Sequence, residues 1–280
     1  MSVEDWGRDL RDLITRGQTY HGTAEVLAIL QHEIASMTLG LDAPPPVLQA
    51  SQPVLGVDAC VAGWVGVLLG PDGRLTVHVA SSITALVGQV REGADVAVVA
   101  IDIPIGLPDN GVRQADEQAR AALPGKASSV FSTLTRSAYS ADSYAGSREA
   151  NLDATDGERS ASAQAWALGP KILQVDAWVR GDPGAVVIEV HPELCFARMA
   201  GSPLLAGKRT DEGVALRREA LGRAGIAAPS WYSGSGFGED DLLDACAALW
   251  TGVRYLNGES ESLPAEAEVF SDGIPAAIRV

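Results

Sequence analysis

The chain has 280 residues, 46% of them hydrophobic, and a formal charge of −15 at pH 7. With a slightly positive mean hydropathy, these totals describe one large globular domain, or a domain with an appendage, and exclude a disordered chain. The acidity excludes a broad phosphate-binding surface, leaving a local basic cleft as the only way to meet nucleic acid, and it suits an acidic metal site. The three cysteines, Cys60, Cys195 and Cys246, show no CxxC spacing and read as small buried hydrophobes in a reducing compartment. No apolar stretch is long enough to span a bilayer, and the early acids do not suit a signal peptide. A cytoplasmic protein with no membrane partner is expected.

Residues 1–40 carry apolar positions at helical spacing: Leu10, Leu13 and Ile14, then Val26, Leu27, Leu30 and Ile34. Pro44, Pro45 and Pro46 end that pattern in a stiff linker. Residues 1–50 are therefore expected to be a helical extension, serving packing or homo-oligomerisation, ahead of a domain over residues 51–280. His21 and His32 are too far apart to sit on adjacent turns and read as ordinary surface or packing residues.

Residues 54–69 hold two apolar runs around a break at Gly63. They predict two strands and a tight turn, with Asp58 closing the first. Pro71, Asp72 and Gly73 supply the turn into a third strand over residues 74–80, an antiparallel meander. Ser81 or Ser82 caps a helix reaching about residue 92. Residues 96–101 form another apolar run, closed by Asp102. A helix is expected over residues 111–123, with Arg113, Asp116 and Arg120 near one face. Residues 124–159 are polar and lack periodicity, as in an insertion or loop. Residues 160–179 read as a helix, and 185–190 as a buried strand carrying Glu189 and leading into His191. A helix over residues 212–225 precedes a glycine- and serine-rich loop at 230–238. The last helix starts near Glu239 and runs through Trp250. The order is three strands, helix, strand, helix, strand, helices. It fits an α/β mixed sheet, antiparallel in its first three strands and parallel after them, with helices on both faces. That is the layout of the ribonuclease H-like fold.

An acid closing an apolar strand is costly to bury unless it is paired or binds a cation. Two such strands, ending at Asp58 and Asp102, suggest a shared acidic site. Asp241 and Asp244 are three apart and share a helix face. Asp240 reads as an N-cap, and Asp241 reads equally as a cap or a ligand. Asp244 lies a turn further in, beside the small residues Ala245, Ala247 and Ala248, which let the helix approach the sheet. Asp58, Asp102, Asp241 and Asp244 make a carboxylate set suited to a hard divalent cation, Mg²⁺ or Mn²⁺. Two such ions could stabilise the attacking and leaving oxygens of phosphodiester cleavage.

The chain resembles a family of uncharacterised proteins described as predicted ribonuclease H-like nucleases. The resemblance is carried by Gly56 to Asp58 with Gly63 and Trp64, and by Asp102 with the Ile-Pro-Ile-Gly-Leu that follows. It continues through Arg113, Asp116, Ala119 and Arg120; Ser128, Ser129 and Phe131; and Gln164, Pro170, Lys171 and Asp176. Glu189, His191, Pro192 and Glu193, and then Asp240 to Ala245, complete it. The acidic helix is also similar to that of RuvC-type junction resolvases. Ala59 and Gln174 stand where the family pattern carries a glycine and an acid. The resemblance implies that Asp58, Asp102, Asp241 and Asp244 bind metal.

Other candidates carry two readings each. Glu189 could be an outer metal ligand. His191 could transfer protons or hydrogen-bond a loop. Arg113, Arg120, Lys126, Lys171 and Lys208 supply the positive charge for a local substrate cleft, while Lys171 and Lys208 could equally pair with acids. Ser128 and Ser129, after Lys126, make a phosphate-binding turn or a plain turn beside a buried Phe131. The leading expectation is a metal-dependent nuclease acting on DNA or RNA. The alternatives are an actin-like or sugar-kinase-like phosphotransferase or ATPase, and a non-catalytic binding or scaffold protein on the same fold.

Overall fold

The computed structural model describes residues 47–280, so all but the last four residues of the expected helical extension, with its histidines and prolines, lie outside the described residues. Strand β1 (Val54–Cys60) turns at Val61 and Ala62 into β2 (Gly63–Leu69), and β3 (Leu75–Ala80) completes the antiparallel meander. Gly63 sits at φ +128°, where a Cβ would lie 2.4 Å from the Ala80 carbonyl, so only glycine fits that turn. Helix α1 (Ile83–Arg91) starts at Ser82, whose side chain accepts a hydrogen bond from Ala85 N. It is the crossover to β4 (Val98–Ile101), which lies parallel to β1.

Helix α2 (Gln114–Ala121) follows, then a 3₁₀ turn (Ala127–Ser129), α3 (Arg136–Tyr139), α4 (Tyr144–Ala154) and α5 (Ala163–Arg180). The stretch expected to be a loop or insertion, residues 124–159, thus carries two helices. Beside Val130, Leu134, Ala138 and Tyr139 it buries an unusual number of polar residues: Thr133, Thr135, Ser147, Asn151 and Thr155. Asn151 ties them: its Oδ1 accepts from Thr135 N at 2.9 Å and its Nδ2 donates to the Arg159 carbonyl at 2.9 Å. A segment packed through hydrogen-bonded polar groups shows no apolar period.

Strand β5 (Val186–Val190) pairs parallel with β4 and leads into α6 (Pro192–Ala200) and α7 (Asp211–Arg223), then α8 (Glu239–Leu256). Two further strands, β6 (Ser262–Val269) and β7 (Pro275–Arg279), extend the sheet beyond β5; neither was expected. The strand order is β3-β2-β1-β4-β5-β7-β6, with β7 parallel to β5 and β6 antiparallel to β7.

The sheet is covered on both faces, which is why its central strands are apolar throughout. Alternate residues of β1 and β4, Val54, Val98 and Ala100, pack with α8 on one face. The intervening ones, Leu55, Val57, Val99 and Ile101, pack with α1 and α5 on the other. Helix α8 lies almost on the backbone of β1: a Cβ at Gly56 would come within 2.2 Å of the Ala245 carbonyl. All three cysteines are buried and free. No helix among the described residues is long and apolar enough to cross a membrane.

Candidate functional site

The period of two along a strand places Asp58 on the same face of β1 as Gly56, the face that α8 covers. Asp102 comes directly after β4, and its N–H donates to the Val57 carbonyl at 3.0 Å, so the two acidic strand ends lie side by side. It shares the α8 face with Ala100 by the same alternation. The close approach of α8 at Gly56 brings Asp244 over this corner, with Asp241 a turn earlier. All four aspartates line one cleft of about 480 Å³, together with His191, Glu193, Lys208, Arg209, Ser129 and Gln164.

Burial raises the Asp58 carboxyl well above the usual carboxylate range, and the charges of Asp102, Asp244 and Asp241 push it further. Burial also carries Asp102 up to about 7 and Asp244 to about 6, against the opposing charge of Lys208. The Lys208 ammonium stands 2.6 Å from Asp244 Oδ2 and 3.8 Å from Asp240 Oδ2. Burial opposes its charge, yet Asp244, Asp58 and Asp102 together hold its pKa above the usual lysine value. Asp58 Oδ1 accepts from Ala59 N at 2.7 Å.

The first turn of α8 differs from expectation. Its N-cap is Gly238, not Asp240. Asp241 Oδ2 accepts from Gly238 N at 2.8 Å, the reaching-back half of a capping box. Asp240 instead takes Arg209 Nε at 2.9 Å.

Other candidates are not among the residues that line the cleft. Arg113 is fully buried and donates to Glu189 Oε2 at 2.6 Å, and Ile105 N donates to the same oxygen at 2.7 Å. Against the cost of burying it, Glu189 and Asp116 keep the Arg113 guanidinium charged. Glu189 and Asp116 line a small cavity of about 30 Å³ together with Asp102 and His191. Arg120 holds the following loop, donating to the Val130 carbonyl at 3.0 Å and Ser132 Oγ at 2.8 Å. Lys126 donates to the Ala206 carbonyl at 3.3 Å and lies 3.7 Å from Glu193. Lys171 donates to the Cys60 and Gly63 carbonyls at 2.8 and 2.5 Å, its ammonium 5.1 Å from the Trp64 ring centre, and so clamps the β1–β2 turn. Gln174, where an acid was expected, accepts from Trp64 Nε1 at 2.7 Å and Ile83 N at 2.9 Å. An ionised acid would accept those bonds equally well, but at the cost of a charge beside Trp64.

His191 lines the cleft with its Nε2 3.4 Å from the Ser129 carbonyl, while its buried Nδ1 has no hydrogen-bond partner. Burial lowers its pKa, so the ring is uncharged at neutral pH. Sequence reasoning missed Arg209 as a cleft residue. The signal available was its place beside Lys208, directly before the Thr210 cap of α7.

A sequence model of the family described as "Protein of unknown function (DUF429)" matches residues 56–269. The chain belongs to that family. The DUF429 region takes in all four cleft aspartates, Lys208 and His191. No curated protein and no solved structure matches the chain.

The oxygen donors of the cleft suit a hard divalent cation in type and in charge, since four aspartates and Glu193 share it with the ammonium of Lys208 and the guanidinium of Arg209. The Asp102 carboxyl is tuned by burial and by the charges of Lys208 and Glu193, with no hydrogen bond contributing. Among the described residues, no three Asp, Glu, His or Cys side chains are arranged to hold an ion as they stand.

Proposed function

We propose that the cleft is the active site of a Mg²⁺- or Mn²⁺-dependent nuclease. The observation that carries this reading is the crowding of Asp58, Asp102 and Asp244. Asp58 and Asp244 are buried and Asp102 is half-buried at one corner, and their pKa values are raised by desolvation and by neighbouring carboxylates. Such a set is relieved by protons or by a cation. Asp58, Asp102 and Asp244, with Asp241 at the edge, would hold the ion. When bound, a divalent ion supplies charge stabilisation to a phosphodiester and its leaving oxygen.

The remaining groups fit roles around a phosphodiester. Lys208 and Arg209 give the cleft its positive charge and would orient phosphate oxygens. The uncharged His191 imidazole can take a proton at neutral pH. The buried Glu189–Arg113 pair supports the loop after β4 through Ile105 and stays outside the chemistry.

The test is cleavage of single-stranded, duplex, hybrid and branched substrates by the purified protein in Mg²⁺ or Mn²⁺, with ATP hydrolysis followed in parallel. Metal-dependent cleavage that Asp58→Asn abolishes is the expected result. ATP turnover without cleavage, or cleavage that survives Asp58→Asn, refutes the proposal.

A further inference from the structure

We propose that Lys208 is the internal counter-ion of the cleft: its ammonium stands in for a divalent ion among the carboxylates, and gives way from Asp244 to the substrate phosphate when the ion enters. This rests on the reading of the cleft as a metal site.

The backbone that carries Lys208 is firmly held. Thr210 N and Thr210 Oγ1 both donate to the Gly207 carbonyl, at 3.0 and 2.9 Å. Gly213, in the first turn of α7, packs so tightly on Gly207 that a Cβ would lie 1.9 Å from its carbonyl oxygen. The side chain has more latitude, being 38% exposed on a long flexible stem. Its ammonium can therefore move while its anchor stays in place.

The position of that ammonium is a cation's position. It bonds Asp244 Oδ2 at 2.6 Å, and the charges of Asp58 and Asp102 also act on it. An ammonium bonded to Asp244 Oδ2 lies close enough to a divalent ion on the same carboxylate for the two like charges to repel strongly. Among the described residues no three Asp, Glu, His or Cys side chains are set to hold an ion. Moved off Asp244, the ammonium still lies in the cleft beside Arg209, which is 81% exposed. Two cations at the edge of a carboxylate cleft match a phosphodiester drawn towards a bound ion.

The test uses the full chain and two variants, Lys208→Met and Lys208→Arg, with Arg198→Gln as control. Arg198 pairs with Glu261 outside the cleft, so its loss changes net charge alike without touching the site. Mn²⁺ affinity is measured by calorimetric titration, and affinity for a short labelled single-stranded oligonucleotide is measured at saturating Ca²⁺. Lys208→Met is expected to bind Mn²⁺ about tenfold more tightly than wild type, because the competing charge is gone. It should bind the oligonucleotide about tenfold more weakly, because a phosphate contact is gone. Lys208→Arg should not gain Mn²⁺ affinity, and Arg198→Gln should move neither quantity. Unchanged or weaker Mn²⁺ binding in Lys208→Met, or unchanged oligonucleotide binding, overturns the inference while the metal site stands. Failure of wild type and both variants to bind Mn²⁺ removes the metal site itself.

Discussion

Gly56→Ala probes the contact that assembles the cleft. A Cβ at position 56 would lie 2.2 Å from the Ala245 carbonyl oxygen and 2.3 Å from Leu249 N, both backbone atoms of α8. Ordinary contact begins near 3.4 Å, so strand and helix must part by about 1.2 Å. Backbone atoms cannot rotate away as a side chain can. Helix α8 buries Leu242, Leu243, Ala245, Cys246, Ala248, Leu249 and Val253 in the core it shares with the sheet, α6 and α7, and the shift disturbs that packing. Overpacking of this kind costs about 3 kcal/mol or more. For a domain of this size that is a fall of about 6–12 °C in Tm. Gly66→Ala is the comparison. Its Cβ would meet only Leu55 and Leu86 side-chain atoms, at 3.0 Å and beyond, so its loss should be clearly smaller. The assay is thermal and urea unfolding in EDTA, with Mg²⁺-induced stabilisation measured beside it. Gly56→Ala should also lose most of that stabilisation, since Asp244 moves away from Asp58. A Gly56→Ala protein as stable as Gly66→Ala would show that the approach of α8 does not build the site.

Three further outcomes follow from the site. Asp102 and Asp244 titrate at about 7 and about 6 in the folded chain against an ordinary 3.8. The fold therefore binds more protons than the unfolded chain between these values, and their contribution to stability is lost as pH rises from about 4 to 7. In EDTA, Asp102→Asn should flatten that fall in urea unfolding midpoints, and an unchanged slope refutes the assignment. Lys171→Met removes two hydrogen bonds to the β1–β2 turn and should cost about 1–3 kcal/mol in urea unfolding. Oligonucleotide affinity and its salt slope should not change; a flatter slope would place Lys171 on the binding face after all. Asp241→Ala removes the bond from Gly238 N and should cost about 0.5–2 kcal/mol, whereas Asp240→Asn should leave the helix start intact, which far-UV circular dichroism melts can separate.

Much of the fold was legible because strand and helix periods are local. The runs ending at Asp58 and Asp102 are buried on both faces, so their sequences are apolar throughout, and the one acid in each stands out. Ser82 and Thr210 cap their helices through bonds spanning three residues. Strand β6 was not legible, because Pro264, Glu266 and Glu268 interrupt any apolar run, as suits an edge strand with a solvated side. Residues 136–154 were missed because the two helices are short and bury few apolar side chains, with polar Ser147 and Asn151 on the inner face of the second.

The alternation of elements and the two strand-end acids are written locally in the chain, since both depend on neighbours a few positions away. The tertiary structure alone decided which charges meet. Lys171 bonds a carbonyl 111 positions away, Arg113 a carboxylate 76 away, and Lys208 a carboxylate 36 away. All three are basic residues of similar appearance in the chain, yet one clamps a turn, one is buried in an ion pair and one faces the acidic cleft. A charged side chain takes whichever partner the packing of distant elements brings within reach, because an unpaired charge in the interior is far too costly to keep.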